Sequence, residues 1–99
     1  MVSLEEVQQM IVEECDSVKA LLLKKNKNYG NSAVDPKRIF SKQNAVEQIK
    51  VRIDDKLSRI QNMGFSANNK LANEDACQDL IGYLILLRIA ERIHKDNQQ

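Results

Sequence analysis

The first quarter of the chain has apolar residues at steps of three and four, the spacing of one helical face. The repeating positions are Leu4, Val7, Ile11, Cys15, Val18 and Leu22. Ser3 precedes this stripe, and Glu6 three positions later completes a capping box. The pattern predicts a helix from Leu4 to about Lys25. We expect a loop after it, because residues 26–32 are rich in Asn and Gly and lack periodicity.

A second long helix is predicted over about residues 44–63, where Gly64 is a natural stop. Its predicted buried face has an aliphatic residue at every third or fourth position: Val46, Ile49, Ile53, Leu57 and Ile60. Before this helix, Asp35 and Pro36 favour a helix start, with Asp as cap and Pro in the first turn. We therefore predict a short extra turn over residues 36–40.

The third predicted helix begins at Glu74, with Asn73 as its cap, and runs to about His94. Over residues 80–90 it is apolar on nearly every side, which is typical of a helix that is buried on all sides. Two partner helices of this size cannot cover it, so we predict self-association through the third helix. Gly82 within it favours close approach of another backbone, because Gly otherwise costs about 1 kcal/mol in a helix.

Composition supports an all-α fold: three long helices with a short extra turn, in one domain over residues 1–99, assembled as an oligomeric bundle. The 99 residues include only three Gly and one Pro, too few turn residues for a small all-β domain. No apolar run approaches the roughly 20 residues of a membrane span, and no secretory segment opens the chain. We expect a cytoplasmic protein without membrane contact, in which Cys15 and Cys77 are reduced.

The formal net charge is +1, from 15 basic and 14 acidic residues. This balance makes direct DNA binding unlikely, because no global field draws the chain to a polyanion. Local clusters are more informative. Arg52, Lys56 and Arg59 share one stripe of the second helix, and Asp55 lies beside them. Two interpretations stay open: a solvated face with intrahelical ion pairs, or a cationic ridge that binds phosphate.

Acidic residues of the third helix form the matching cluster. Asp75 and Asp79 are four residues apart, a spacing that can hold Mg²⁺ together with waters and substrate phosphates. Glu13 of the first helix is a further candidate ligand. The alternative is an acidic first turn that complements the helix dipole, which explains Glu74 and Asp75 fully but Asp79 only poorly. Asp79 precedes the apolar block, so we expect it to pair with a cation of the second helix.

The predicted loop after the first helix carries a third group of candidate ligand-binding residues. They are Lys27, Asn28, Tyr29, Gly30, Asn31 and Ser32. Turn chemistry explains the Asn, Gly and Ser residues. It does not explain Tyr29, one of only four aromatic residues in the chain, and we predict that its ring stacks on a nucleobase.

These segments resemble a known family when they are taken in order. The loop over residues 27–32, the string Arg-Ile-Asp-Asp-Lys-Leu-Ser-Arg over 52–59 and the string Glu-Asp-x3-Asp-Leu-Ile-Gly-Tyr over 74–83 resemble a phage and prophage family. That family is the nucleotide-modification-associated domain, type one, and the likeness covers about residues 24–88. It implies an all-helical, phage-associated protein that handles nucleotides in an infected bacterial cell. The motif positions are Tyr29, Arg52, Asp55, Lys56, Arg59, Asp75, Asp79 and Tyr83.

Two departures from family patterns bear on the chemistry. Asn28 stands where the loop often has Asp, which removes one carboxylate. The helical MazG-type nucleotide pyrophosphohydrolases have an ExxE…ExxD layout, which Glu13-x-x-Asp16 only approximates. Both departures weigh against metal-dependent hydrolysis.

The residues favour a nucleotide-binding protein that requires no cofactor. It would hold a nucleotide or cyclic nucleotide, for example by sequestering a signal of host defence. The first alternative is a Mg²⁺-dependent nucleoside triphosphate pyrophosphohydrolase, with Asp75, Asp79 and Glu13 at the metal. The second alternative is a protein-interaction module whose third helix docks a partner. Binding is favoured over catalysis because the sequence assures no catalytic group.

Overall fold

The computed structural model describes residues 1–64 and 75–97, which contain three helices and no strand. The helices are α1 (Leu4–Tyr29), α2 (Ala45–Met63) and α3 (Ala76–Asn97). The predicted all-α class is therefore confirmed. The chain divides into two compact units, Met1–Gly30 and Asn31–Gln99, and α2 packs against α3 in the second. The single domain and the oligomeric assembly stay predictions.

Helix α1 begins as predicted but ends later. The Ser3 hydroxyl accepts a hydrogen bond from the Glu6 amide at 3.0 Å, as a capping box requires. The predicted end at Lys25 is wrong by four residues, because α1 continues to Tyr29. No Gly or Pro interrupts these residues, and the Asn26 side chain donates to the Gly30 carbonyl at 3.2 Å. The helix stops at Gly30, whose φ of 67° favours glycine.

The connection between α1 and α2 also differs from its prediction. The predicted extra turn at residues 36–40 is wrong in position. A hydrogen-bonded turn occurs earlier, where the amides of Val34 and Asp35 donate to the Asn31 carbonyl at 3.0 and 2.7 Å. Residues 36–40 form no helical turn, and Phe40 is almost fully exposed. A turn this short needs packing to be stable, and its largest side chain makes none.

Helix α2 has both of its predicted ends. The Asn44 side chain accepts from the Glu47 amide at 3.0 Å and caps the first turn. At the other end, the Gly64 amide donates to the Ile60 carbonyl at 2.7 Å, with a φ of 87° at Gly64. Two local signals therefore mark the two ends of α2.

Helix α3 begins at Ala76, two residues later than predicted. The cap is Asp75, whose carboxylate accepts from the Gln78 amide at 2.9 Å. The predicted cap Asn73 and first residue Glu74 lie outside the described residues. The end agrees with the prediction to within three residues, at Asn97 instead of His94.

The core between α2 and α3 is small and aliphatic. Ile49 is 1% exposed, Ile60 and Ala90 are also buried, and Gly82 is buried within α3. The predicted buried face of α2 is wrong at Leu57, which is 46% exposed. Lys56 is buried in its place. The face of α2 that meets α3 is therefore rotated toward Lys56.

Large apolar side chains stay exposed on α3. Ile81, Leu84, Ile85, Ile89 and Ile93 are between 37% and 46% exposed. The predicted burial of this helix on all sides is therefore incomplete in the single chain. None of the three described helices combines the length and the hydropathy that crossing a membrane would require.

Replacing Ile49 with Ala should lower the free energy of unfolding by about 2–5 kcal/mol, because it leaves a cavity at a fully buried aliphatic site. The matched control is Val51→Ala on the exposed side of α2, which should change it by less than about 0.5 kcal/mol. Chemical denaturation followed by circular dichroism measures both. Equal losses for the two variants would contradict the described core.

Candidate functional site

An ion pair joins α2 to α3 at the centre of the candidate site. Lys56 Nζ lies 3.0 Å from Asp79 Oδ2, and the two side chains are only 11% and 23% exposed. The predicted pairing of Asp79 with a cation of the second helix is therefore confirmed, and the cation is Lys56. Both charges are largely removed from water, so each needs the other.

The local sequence explains why Lys56 is buried among aliphatic residues. It stands seven residues after Ile49 and four before Ile60, so all three lie along one side of α2. Its four methylene groups can lie along apolar surface while the ammonium reaches Asp79. On α3, Asp79 lies one helical turn after the cap Asp75, on the part of the helix that faces α2.

The other two cations of the predicted ridge point elsewhere. Arg59 Nε lies 3.2 Å from Asp55 Oδ2, four residues earlier, and both side chains are about half exposed. Arg52 is exposed and makes no ion pair with a described residue. The ridge is thus not uniform, because Lys56 turns inward to α3 while Arg52 and Arg59 lie at the surface. The Arg59–Asp55 pair agrees with a solvated face that carries intrahelical ion pairs, whereas the phosphate-binding ridge stays a prediction.

Asp75 and Asp79 both have partners other than a metal. One oxygen of Asp75 caps α3, and one oxygen of Asp79 meets the Lys56 ammonium. A divalent cation at Asp79 would have to compete with that ammonium, so this pair of carboxylates fits Mg²⁺ poorly. Within residues 1–64 and 75–97, no group of three His, Cys, Asp or Glu side chains is arranged to hold a metal. The magnesium hypothesis stays a prediction without a structural observation in its favour.

Glu13 and part of the predicted loop belong to the first compact unit, Met1–Gly30. Glu13 is exposed on α1 and accepts from the Gln9 side chain at 3.3 Å. Lys27, Asn28 and Tyr29 belong to the last turn of α1, so their placement in a loop is wrong. The side chain of Tyr29 is exposed at the helix end.

The rest of the predicted loop begins the second unit. Asn31 and Ser32 stand in the hydrogen-bonded turn that follows Gly30. Tyr83 lies half-buried on α3, one turn beyond Asp79. The expectation that Tyr29 stacks on a base beside the cations of α2 joins the two units, and it stays a prediction.

The second unit also has a pocket that no sequence motif indicated. It is a partly open pocket of about 90 Å³ near the first turn of α2 and the end of α3. Its polar lining includes Arg38, Asn44 and His94, beside apolar residues such as Val46 and Ile93. The lining comes from two segments more than 40 residues apart, and neither has a recognisable spacing. Only the three-dimensional fold could reveal it.

Comparison with known proteins identifies no relative of this chain. No family model, no curated protein and no solved structure matches this chain. The resemblance to the phage nucleotide-modification family therefore stays a prediction that rests on the three motifs alone.

A double-mutant cycle tests the ion pair. Lys56→Met and Asp79→Leu should each lower the free energy of unfolding by about 1–3 kcal/mol, because each leaves one largely buried charge without its partner. The double variant should recover most of that loss, since two apolar side chains can pack together. Urea denaturation of the four proteins measures the coupling. Strictly additive losses would show that the two side chains do not interact.

Proposed function

We propose that this chain is a nucleotide-binding protein whose phosphate contacts come from α2 beside its junction with α3. The observation that supports the proposal is the Lys56–Asp79 pair. It brings together the two helices that carry the cationic and acidic motifs. It also accounts for Lys56 as an internal anchor and leaves Arg52 and Arg59 at the surface.

The arginines suit a phosphate ligand for energetic reasons. The Arg59–Asp55 pair is an exposed contact between residues four apart, and such pairs contribute only about 0.3–0.5 kcal/mol. A phosphate can form two parallel hydrogen bonds with a guanidinium and carries more charge than one carboxylate. It would therefore displace Asp55 at little cost. Arg52 has no such competitor among the described residues.

Lys56 has a different role in this proposal. Its ammonium is neutralised by Asp79, so the pair adds little net field at the surface. Its contribution is to hold α2 at a fixed rotation against α3, which keeps both arginines on the solvent side. A protein built in this way can bind and sequester a nucleotide without a catalytic group. Its ligand class includes linear and cyclic nucleotides.

Isothermal titration against ATP, dATP, cyclic AMP and cyclic dinucleotides tests the proposal. We expect one of these ligands to bind with a dissociation constant well below 1 mM. Arg52→Ala and Arg59→Ala should each weaken that affinity by about tenfold, because each removes a charge-assisted contact of about 1–3 kcal/mol.

The matched control is Lys50→Ala. Lys50 lies on the same helix and pairs with Glu47 at an exposed site, with 3.6 Å between the charged atoms. Its loss should leave the affinity unchanged within about twofold. Failure of every ligand to bind at 1 mM, or equal effects of all three substitutions, would refute the proposed phosphate contacts.

A second candidate function, a protein-interaction module, is favoured by the exposed apolar side chains of α3. Five large aliphatic residues within 13 positions of one helix make an apolar surface of the kind that marks interaction sites. The partner we propose is a second copy of the chain, in agreement with the sequence-based expectation of self-association through the third helix.

Analytical ultracentrifugation should show a concentration-dependent dimer. Ile85→Glu should raise the dissociation constant of the dimer by about tenfold or more, because this substitution places a charge in the apolar surface. Val51→Glu makes the same change at an exposed apolar site of α2 and should leave the dimer intact. A monomer at all concentrations would rule out this candidate function.

A further inference from the structure

Helix α1 has an apolar stripe whose first half is exposed. Leu4, Val7 and Ile11 are between 39% and 69% exposed, and Cys15 is exposed as well. These four residues follow one another at steps of three, four and four, so they form an exposed apolar edge of about three turns.

The exposed face of α3 has a matching geometry. Ile81, Ile85 and Ile89 follow one another at four-residue steps, and Arg92 comes three residues later. Read from Arg92 backward, the steps are three, four and four. Read from Leu4 forward along α1, the steps are also three, four and four. Antiparallel packing would therefore place Val7 opposite Ile89, Ile11 opposite Ile85 and Cys15 opposite Ile81.

We infer that the first half of α1 packs antiparallel on the exposed face of α3 of a second copy of this chain. The inference rests on the second candidate function above, self-association through α3, and names the surface that α3 meets. Each copy has both surfaces, so a two-fold axis allows two copies to exchange the same contact. The assembly then closes as a dimer.

Charge supports this choice of partner surface. The first half of α1 contains five acidic residues and no basic one: Glu5, Glu6, Glu13, Glu14 and Asp16. The face of α3 carries Arg88, Arg92 and Lys95 around its isoleucines, with Glu91 as the acidic member of that surface. In the antiparallel arrangement, Glu5 and Glu6 come near Arg92 and Lys95. The helix dipoles also favour antiparallel packing.

The same charges disfavour the simplest alternatives. Pairing the first half of α1 with the same segment of a second copy would bring acidic segments together. Pairing the basic ends of two α3 helices would bring Arg88 and Arg92 of one copy near Arg88 and Arg92 of the other.

A single contact about 12 residues long is about 18 Å in length, which is small for a specific interface. The exchange supplies two such contacts, and this doubles the area buried.

Crosslinking between two variants, each with a single thiol at a different position, tests the inference. One copy is Cys77→Ala, which keeps Cys15 on α1. The other is Cys15→Ala/Cys77→Ala/Ile81→Cys, which has its thiol on α3. After mixing, a short bis-maleimide should join the two copies, and mass spectrometry should identify the α1 and α3 peptides in one product. Moving the α3 thiol to Arg92→Cys should abolish the product, because that position lies about 16 Å farther along α3.

A matched control places the thiol on the opposite side of α1. Gln9→Cys in the Cys15→Ala/Cys77→Ala background should give no product with Ile81→Cys, because residue 9 points away from the apolar stripe. Ile11→Glu should weaken dimerisation by about tenfold or more, whereas Val12→Glu, at a neighbouring exposed valine off the stripe, should not.

The possible results distinguish a failure of this inference from a failure of the second candidate function, on which it rests. A dimer that Ile85→Glu disrupts but Ile11→Glu does not would keep self-association through α3 and overturn the role of α1. A product formed within one chain, in a variant that carries Cys15 and Ile81→Cys together with Cys77→Ala, would overturn the exchange between copies. A protein that stays monomeric would overturn both.

Discussion

The contact between the Lys56 ammonium and the Asp79 carboxylate constrains how α2 and α3 meet. The apolar contacts of Ile49, Ile60 and Ala90 drive the two helices together but are not directional. The ion pair is directional, and its side chains are only 11% and 23% exposed. Rotating α2 by one residue, or sliding it by one turn, would leave a charge without its partner at the helix junction. That cost selects one arrangement among the apolar packings available to two amphipathic helices.

This arrangement separates three cations that share one stripe in the sequence. Lys56 pairs with Asp79 at the junction of α2 and α3, while Arg52 and Arg59 lie at the surface, where the Arg59–Asp55 pair is about half exposed. The proposed phosphate contacts depend on that separation. The opposite side of α3 follows from the same geometry. Because one face of α3 is committed to α2, its remaining isoleucines stay exposed and available for a second copy of the chain.

Local sequence signals predicted much of the fold. The predictions failed where tertiary contacts determine the structure. Asn44 and Gly64 fixed both ends of α2, because a cap and a positive φ are properties of single residues. The predicted end of α1 was wrong because Asn and Lys are compatible with either a loop or a last helical turn. The choice between Leu57 and Lys56 as the buried residue depends on where α3 lies, which periodicity in α2 cannot report. That Asp79 needs a cation was predictable, whereas its selection of Lys56 was not.

A crystal structure of the chain with a nucleotide bound tests the proposed phosphate contacts most directly. We expect phosphate oxygens within hydrogen-bond distance of the Arg52 and Arg59 guanidinium groups. We also expect the Lys56 ammonium to stay paired with Asp79 when the ligand is present. Phosphate bound away from both arginines, or Lys56 and Asp79 facing opposite sides of the helix pair, would refute these contacts.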